Sequence, residues 1–295
     1  MPPSMTALPE APTFEGRHLP DPTEPVFDQG LTFDVETLLD RRKVLKILGF
    51  GAGAFALAAC APGSSASPFG SAAATSAANA SGAACTVIPE ETAGPFPGDG
   101  SNGPDALTQS GIVRADIRSS FGSSSTIAAG VPLTIRLAIQ DLANGCAPLA
   151  NAAVYVWHCD QEGRYSMYSN GVTNENYLRG VQAAGADGVV TFSSVFPACY
   201  SGRWPHIHFE VYPSQAKATN PANRIATSQI AMPEATCQAV YATVGYEQSV
   251  STLSQVSLAS DNVFGDDGGI HELGAISGSI ANGLTVELAV PVRTA

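Results

Sequence analysis

Two histidines separated by one residue are the first candidates for chemistry in this sequence. His206 and His208 stand in the run HIHFEVY, whose alternating pattern predicts a β-strand over residues 206–212. Side chains at positions i and i+2 of a strand point to one face, so both imidazoles can reach one metal ion. The preceding loop carries Tyr200 and Arg203, and loops at strand ends commonly present ligands. Alone, an HxH pair is more often a solvated strand face than a metal site.

The rest of the sequence predicts the framework that positions these residues. Short runs with alternating or continuous β-branched patterning predict strands at residues 131–139, 152–158, 188–192, 206–212, 225–232 and 284–292. Turn dipeptides rich in Gly, Asn and Asp separate the runs, and a helix is predicted over 233–242, where a proline opens a helical spacing. We therefore predict a mainly β protein, an antiparallel β-sandwich with long loops and at most one or two short helices.

The composition is consistent with this fold and argues against other classes. The chain of 295 residues has 14 Lys and Arg against 26 Asp and Glu, a net charge of −12, which disfavours nucleic-acid binding. Charged residues make up only 14% and apolar residues 44%, unlike a charge-rich disordered chain. The 29 glycines and 21 prolines argue against a helical bundle.

Residues 1–60 have the pattern of an export leader. Arg41 and Arg42 precede a short apolar run that ends in the tetrapeptide LAAC at Cys60. The paired arginines resemble a twin-arginine signal, and LAAC resembles a bacterial lipobox, which would leave Cys60 as a lipidated N-terminus. We expect a protein exported to the extracytoplasmic face of the cell membrane as a lipoprotein, or secreted. The competing interpretation is a short amphipathic or buried helix with a chance pair of arginines.

Residues 61–84 are rich in Ser, Ala and Gly and contain no charged residue, which predicts a flexible tether. The folded domain is therefore expected to span residues 85–295. It holds an odd number of cysteines, so at most two intramolecular disulfides can form; these are Cys85, Cys146, Cys159, Cys199 and Cys237. Cys85 with Cys146 would tie the start of the domain to an early hairpin. Either Cys159 or Cys237 could pair with Cys199, and the spacing does not choose between them.

Six segments, in order, resemble the intradiol ring-cleavage dioxygenases, especially their exported members. They are CTVIPEETAGPF from residue 85, PLANAAVYVWHCD from 148, EGRYS from 162, YLRG from 177, FPACYSGRWPHIH from 196 and SQI from 228. The resemblance extends from Cys85 to the C-terminus, nearly the whole expected domain. Two positions depart from the family pattern, because Ala198 replaces a glycine and Cys199 stands where an aromatic residue is usual.

The resemblance implies a non-haem Fe(III) site, one per chain, with four protein ligands. By the motif match these are Tyr165 in the GRYS segment, Tyr200, His206 and His208. Phenolate oxygen is a hard anionic donor, so two tyrosines suit a ferric ion. The implied reaction is intradiol cleavage of a catechol-type aromatic ring by dioxygen, which gives a muconate-type diacid.

The same resemblance implies roles for three residues in the reaction. Tyr200 would take up a substrate proton, Arg203 would stabilise negative charge that develops on the ring, and Gln229 would assist as a hydrogen-bond donor. Which catechol is cleaved, and the oligomeric state, are not specified by the sequence.

Other interpretations of these residues stay open at this stage. His206, His208 and Glu210 share one strand face and could form a two-His, one-carboxylate site for Fe(II) or Zn(II). The domain could also be a non-catalytic β-sandwich lipoprotein module that binds a partner. Arg203 could merely pair with Glu210 on the surface, and the tyrosines could be ordinary packing residues.

Overall fold

The computed structural model describes residues 13–14, 17–18 and 85–294. The predicted export leader and tether lie outside these residues, apart from β1 (Thr13–Phe14) and β2 (Arg17–His18), which pair antiparallel. Residues 83–295 form a compact unit of their own. Within the described ranges, no helix combines the length and the apolar character needed to cross a bilayer.

The described part of the larger unit contains nine strands and two α-helices. In chain order they are β3 (Pro132–Asp141), β4 (Ala147–Pro148), β5 (Ala153–Trp157), β6 (Arg179–Ala183), β7 (Val189–Val195), β8 (His206–Tyr212), β9 (Ala226–Ala231), α1 (Glu234–Tyr241), α2 (Glu247–Leu253), β10 (Ala275–Ser279) and β11 (Gly283–Val292). All six predicted strands and the predicted helix are present. The mainly β class with short helices is confirmed.

The strands form two sheets. One has the order β10-β11-β3, with β7 and β4 both pairing with the other edge of β3, and the second has the order β6-β5-β8-β9. The ladders are antiparallel, as the predicted sandwich requires, except that β11 runs parallel to β3. No short turn joins these two strands, so hairpin geometry does not impose an antiparallel direction on them.

The two sheets pack face to face through the alternating side chains of their strands. The shared core includes Leu133, Ile135 and Leu137 of β3 and Ile207, Phe209 and Val211 of β8. The period of two sends His206 and His208 to the opposite face of the four-stranded sheet. Loops cover that face with a second apolar cluster, so β8 is buried on both sides.

One disulfide forms in the described domain, between Cys85 and Cys146. Cys159, Cys199 and Cys237 are buried free thiols. A second bridge to Cys199, which the sequence left open, is therefore not made. The loop that carries Tyr200 is held by hydrogen bonds rather than by a disulfide.

Candidate active site

Four side chains converge at one point on the outer face of the four-stranded sheet. The Oη atom of Tyr165 lies 3.3 Å from Oη of Tyr200 and 3.4 Å from Nε2 of His206. Tyr200 Oη lies 3.2 Å from His206 Nε2, which in turn lies 3.0 Å from Nε2 of His208. The structure thus brings together all four residues that the sequence singled out as ligands.

Strand β8 supplies both histidines, and its neighbours orient their rings. The indole of Trp157, directly opposite on β5, stacks on the His208 ring with centroids 4.8 Å apart. His206 Nδ1 lies 2.5 Å from the backbone oxygen of Trp204, to which it donates. With the proton on Nδ1, the lone pair of His206 Nε2 points toward the Oη atoms of Tyr165 and Tyr200 and toward Nε2 of His208.

Asp160 shapes the turn that presents Tyr165. Its Oδ1 accepts from the backbone nitrogens of Glu162 and Arg164, at 2.9 and 3.0 Å. Its Oδ2 accepts from Nε of Arg164 and from Oη of Tyr177, both at 2.9 Å. Because one buried carboxylate satisfies four donors, the backbone before Tyr165 is fixed before any ligand arrives.

The two helices support the loop that carries Tyr200. Tyr241 of α1 donates from Oη to the backbone oxygen of Pro197 at 3.0 Å. Ser249 of α2 accepts from the backbone nitrogen of Cys199 at 3.0 Å. Tyr200 itself is only partly buried, whereas Tyr165 is 2% exposed. Of the two phenols, Tyr200 is therefore the one that an incoming molecule can reach.

Arg203 and Gln229, the other predicted site residues, are bonded to each other. Arg203 Nη2 donates to Gln229 Oε1 at 2.7 Å, and Gln229 Nε2 donates to the backbone oxygen of Thr92 at 2.9 Å. Arg203 Nε also donates to Oδ2 of the buried Asp261 at 3.0 Å. The surface pair with Glu210, considered from the sequence, does not form. Asp261 was missed because it lies far along the chain in a segment without a motif.

A second arginine, Arg179, connects the segment around Pro97, which precedes β3, to the loop that carries Tyr165. Its Nη1 donates to the backbone oxygen of Pro97 at 2.7 Å, and its Nη2 donates to that of Ser166 at 2.9 Å. Its Nε donates to Ser166 Oγ at 3.1 Å. Arg179 belongs to the YLRG segment, but the sequence alone assigns it no role.

Glu210 does not join the two histidines at the site. Its Oε2 accepts from Tyr212 Oη at 2.6 Å, and its Oε1 lies 4.0 Å from Arg224 Nε. In the part of the chain that the structure describes, no group of three or more His, Cys, Asp and Glu side chains is arranged to hold a metal. The alternative two-His, one-carboxylate site is therefore not assembled.

Burial sets the protonation of the four converging side chains. It lowers the pKa of His206 and of His208 well below the ordinary value, helped by the charge of Arg203, so both imidazoles are neutral. Burial also raises the pKa of Tyr165 well above its usual range and that of Tyr200 to about 12, against the charge of Arg203. A cation bound among them would favour the phenolate forms that burial disfavours.

The spacing and chemistry of the cluster fit a transition-metal ion. Ligand atoms about 2 Å from a common ion stand about 3 Å from each other, which is the spacing of these four atoms. Two phenol oxygens and two neutral imidazoles form a donor set suited to iron. Hydrogen bonds alone leave part of the cluster unsatisfied, because His208 Nδ1 is buried without a partner.

Comparison with known proteins bears on this arrangement. A dioxygenase family model matches residues 119–223, the segment that contains all four converging residues. An intradiol ring-cleavage dioxygenase from Tetranychus urticae is 25% identical, with 71% of this chain and 95% of that chain covered and a TM-score of 0.57. The dioxygenase Tetur07g02040 has the same identity and coverage and a TM-score of 0.56. No curated protein sequence matches this chain significantly.

These matches, taken with the sandwich fold, place the protein among the dioxygenase enzymes. More narrowly, the chain resembles an intradiol ring-cleavage dioxygenase over 71% of its length. Members of this family depend on non-haem iron. The two tyrosines and two histidines are the residues of this chain that suit such an ion.

Proposed function

We propose that this protein binds one ferric ion per chain and uses dioxygen to cleave a catechol-type ring between its two oxygen-bearing carbons. The expected product is a muconate-type diacid. The observation that carries the proposal is the convergence of two phenol oxygens and two imidazole nitrogens at separations of 3.0–3.4 Å. Similarity to the intradiol ring-cleavage dioxygenases supports the same reaction class.

Tyr165, Tyr200, His206 and His208 would hold the ion. When bound, Fe(III) supplies Lewis acidity that draws electron density from a catechol bound beside it. The neutral imidazoles direct their Nε2 lone pairs into the cluster, and the enclosing apolar residues limit access of bulk water. The protein's contribution is thus a fixed, largely enclosed set of two oxygen and two nitrogen ligands.

Tyr200 is positioned to receive a proton from the substrate. Its Oη is in the cluster, yet its side chain is only partly buried, so a catechol hydroxyl can approach it. Its high pKa would make its phenolate form a competent base toward a catechol hydroxyl. Tyr165 is buried and would stay in place.

Arg203 supplies the positive charge of the site. Its guanidinium interacts electrostatically with both Tyr165 and Tyr200, and Asp261 and Gln229 hold it in a fixed orientation. A preorganised cation of this kind stabilises negative charge that develops on the ring during the reaction. Gln229 acts on the reaction through Arg203 and Thr92, since its amide groups are engaged with both.

We further propose that the reaction takes place outside the cytoplasmic membrane. The support is the sequence pattern of residues 1–60, with paired arginines and a lipobox that ends at Cys60. A Cys60→Ala variant should be released from the membrane fraction, while the parent protein stays with it and carries a lipid at Cys60 by mass spectrometry. Identical fractionation of the two proteins would contradict the anchor.

The test of the reaction is the visible spectrum of the purified protein, with iron quantified in the same sample. We expect a broad tyrosinate-to-Fe(III) band that shifts when catechol is added under nitrogen. When air is then admitted, a ring-opened diacid should form. Tyr165→Phe should lose the band and most of the iron, while Tyr168→Phe should keep both, because Tyr168 bonds to Gly98 and Asn102 instead. A protein that stays colourless after Fe(III) reconstitution would overturn the proposal and favour a non-catalytic module.

A further inference from the structure

Buried polar side-chain atoms without hydrogen-bond partners cluster beside the proposed iron site. Among the described residues there are five such atoms, and four lie on the outer face of the four-stranded sheet. The four are Trp157 Nε1, His208 Nδ1, Glu210 Oε1 and Thr227 Oγ1. Their side chains belong to residues that are 0–4% exposed. The fifth atom, on Glu272, lies outside these strands.

The sheet register makes His208, Glu210 and Thr227 neighbours and places Trp157 beside His208 on the other edge of β8. Trp157 is directly opposite His208, and Glu210 is directly opposite Thr227. His208 and Glu210 are two residues apart on one strand face, about 6–7 Å along the strand. Directly opposite side chains start about 5 Å apart at their Cβ atoms. A single bridging molecule can therefore lie between His208, Glu210 and Thr227, whereas Trp157 lies across β8 from Thr227.

A buried polar atom without a partner is unfavourable, so the three adjacent ones on His208, Glu210 and Thr227 call for a shared partner. This set contains one nitrogen that can donate, on His208, and two oxygens that can accept, on Glu210 and Thr227. Water accepts and donates hydrogen bonds, which complements this set, and buried waters typically have two to four polar partners.

We propose that one buried water is bound by His208 Nδ1, Glu210 Oε1 and Thr227 Oγ1, and that Glu210 positions His208 through it. Tyr212 Oη donates to the other oxygen of Glu210, and Arg224 Nε lies 4.0 Å from Oε1, so this carboxyl group is anchored. When an ion is bound at His208 Nε2, the ring proton is on Nδ1, and the water would accept a hydrogen bond from it.

The water gives Nδ1 of His208 a hydrogen-bond partner, which Nδ1 of His206 already has. His206 Nδ1 donates directly to the backbone oxygen of Trp204, whereas no group of the described chain bonds to His208 Nδ1 directly. Partners of this kind orient ligand histidines, and their loss commonly lowers metal affinity 10- to 100-fold. The part of the inference that concerns iron affinity rests on the proposed function, and the water site does not.

The first measurement is made on the iron-free protein and needs no activity. A high-resolution crystal structure should show an ordered water bonded to His208, Glu210 and Thr227. A dry site would overturn the inference. This readout stands even if the protein binds no iron, an outcome that would instead refute the proposed function.

The second measurement uses matched variants and compares their ferric iron affinities. Thr227→Val keeps the shape of the side chain but removes the hydroxyl, and we expect it to lose the water and to bind iron about tenfold more weakly. Thr227→Ser restores the hydroxyl and should recover both. Glu210→Gln retains an acceptor oxygen and should weaken iron binding less than Glu210→Leu. Thermal unfolding monitors the fold of each variant, and folded Val and Leu variants with the parent's iron affinity would contradict the positioning role.

Discussion

Arg203 and Asp261 form an ion pair that is almost completely withdrawn from water. Arg203 Nε lies 3.0 Å from Asp261 Oδ2, and the two side chains are 13% and 0% exposed. The same Oδ2 accepts from the backbone nitrogen of Trp204 at 2.6 Å. Asp261 therefore fixes both the guanidinium and the backbone that leads into β8. The position of the Arg203 guanidinium at the site therefore depends on a residue 58 positions away in sequence.

Asp261→Asn should destabilise the protein and impair catalysis. The change keeps the shape of the side chain but leaves the Arg203 charge buried without its counter-ion, which typically costs about 3–5 kcal/mol. Urea denaturation measures the loss. The control is Glu287→Gln, which breaks the exposed pair of Arg136 and Glu287, 2.9 Å apart, and should change the free energy of unfolding by less than about 1 kcal/mol. Equal midpoints for the two variants would contradict the role of Asp261.

Gln229→Leu should lower kcat without removing iron. The variant loses the acceptor for Arg203 and the donor to Thr92, so the cation is less well oriented toward developing charge. Loss of one preorganised electrostatic contact typically costs about 10²-fold in kcat. Iron content should stay at the parent level because Gln229 is not in the cluster of four donors. Gln238→Leu, on the exposed surface of α1, is the control, and iron loss in Gln229→Leu would place that residue in metal binding instead.

Thiol titration should distinguish one disulfide from two. We expect the polypeptide from Ala83 onward to show almost no reactive thiol when folded, because Cys159, Cys199 and Cys237 are buried. In denaturant without reductant, three thiols should react, since Cys85 and Cys146 are bonded to each other. Reaction of a single thiol under these conditions would mean that a second bridge had formed.

The sequence predicted best the parts of the fold that carry a regular pattern. The prediction for 206–212 has the bounds of β8, because alternation is strong there and both faces are buried. Strand β6 escaped notice because its first residue, Arg179, is a buried charge. Strand β10 is mostly exposed, and α2 is short and polar, so neither shows an amphipathic pattern.

In the candidate site, too, only the residues that belong to a local sequence pattern could be predicted. The histidines are adjacent in sequence, and the tyrosines lie in short motifs, so all four could be located before the structure was known. Asp261 and Thr227 reach the site only through loop packing and sheet register, which no local pattern encodes. The sequence thus indicated the donor atoms, and the structure added the groups that orient them.

The stability of the iron-free protein should contain a pH-dependent contribution from Glu272. Burial, reinforced by the nearby carboxylate of Glu91, raises the pKa of Glu272 to about 8 from an ordinary 4.5. Between these values the folded protein keeps a proton that the unfolded chain releases, so the contribution is fully present below about pH 4.5 and is lost as the pH rises through about 8.

Urea denaturation at pH 5 and pH 8.5 of the parent and of Glu272→Gln measures this contribution as a difference. The buried histidines act in the opposite direction, because their pKa values are lowered on folding, but they act equally in both proteins. Between pH 5 and pH 8.5 the free energy of unfolding should fall by at least about 1 kcal/mol more in the parent than in the variant, since one pKa unit corresponds to about 1.4 kcal/mol. The exposed Glu287→Gln should keep the parent's pH dependence. If Glu272→Gln also keeps it, the carboxyl group of Glu272 is not held protonated in the folded protein.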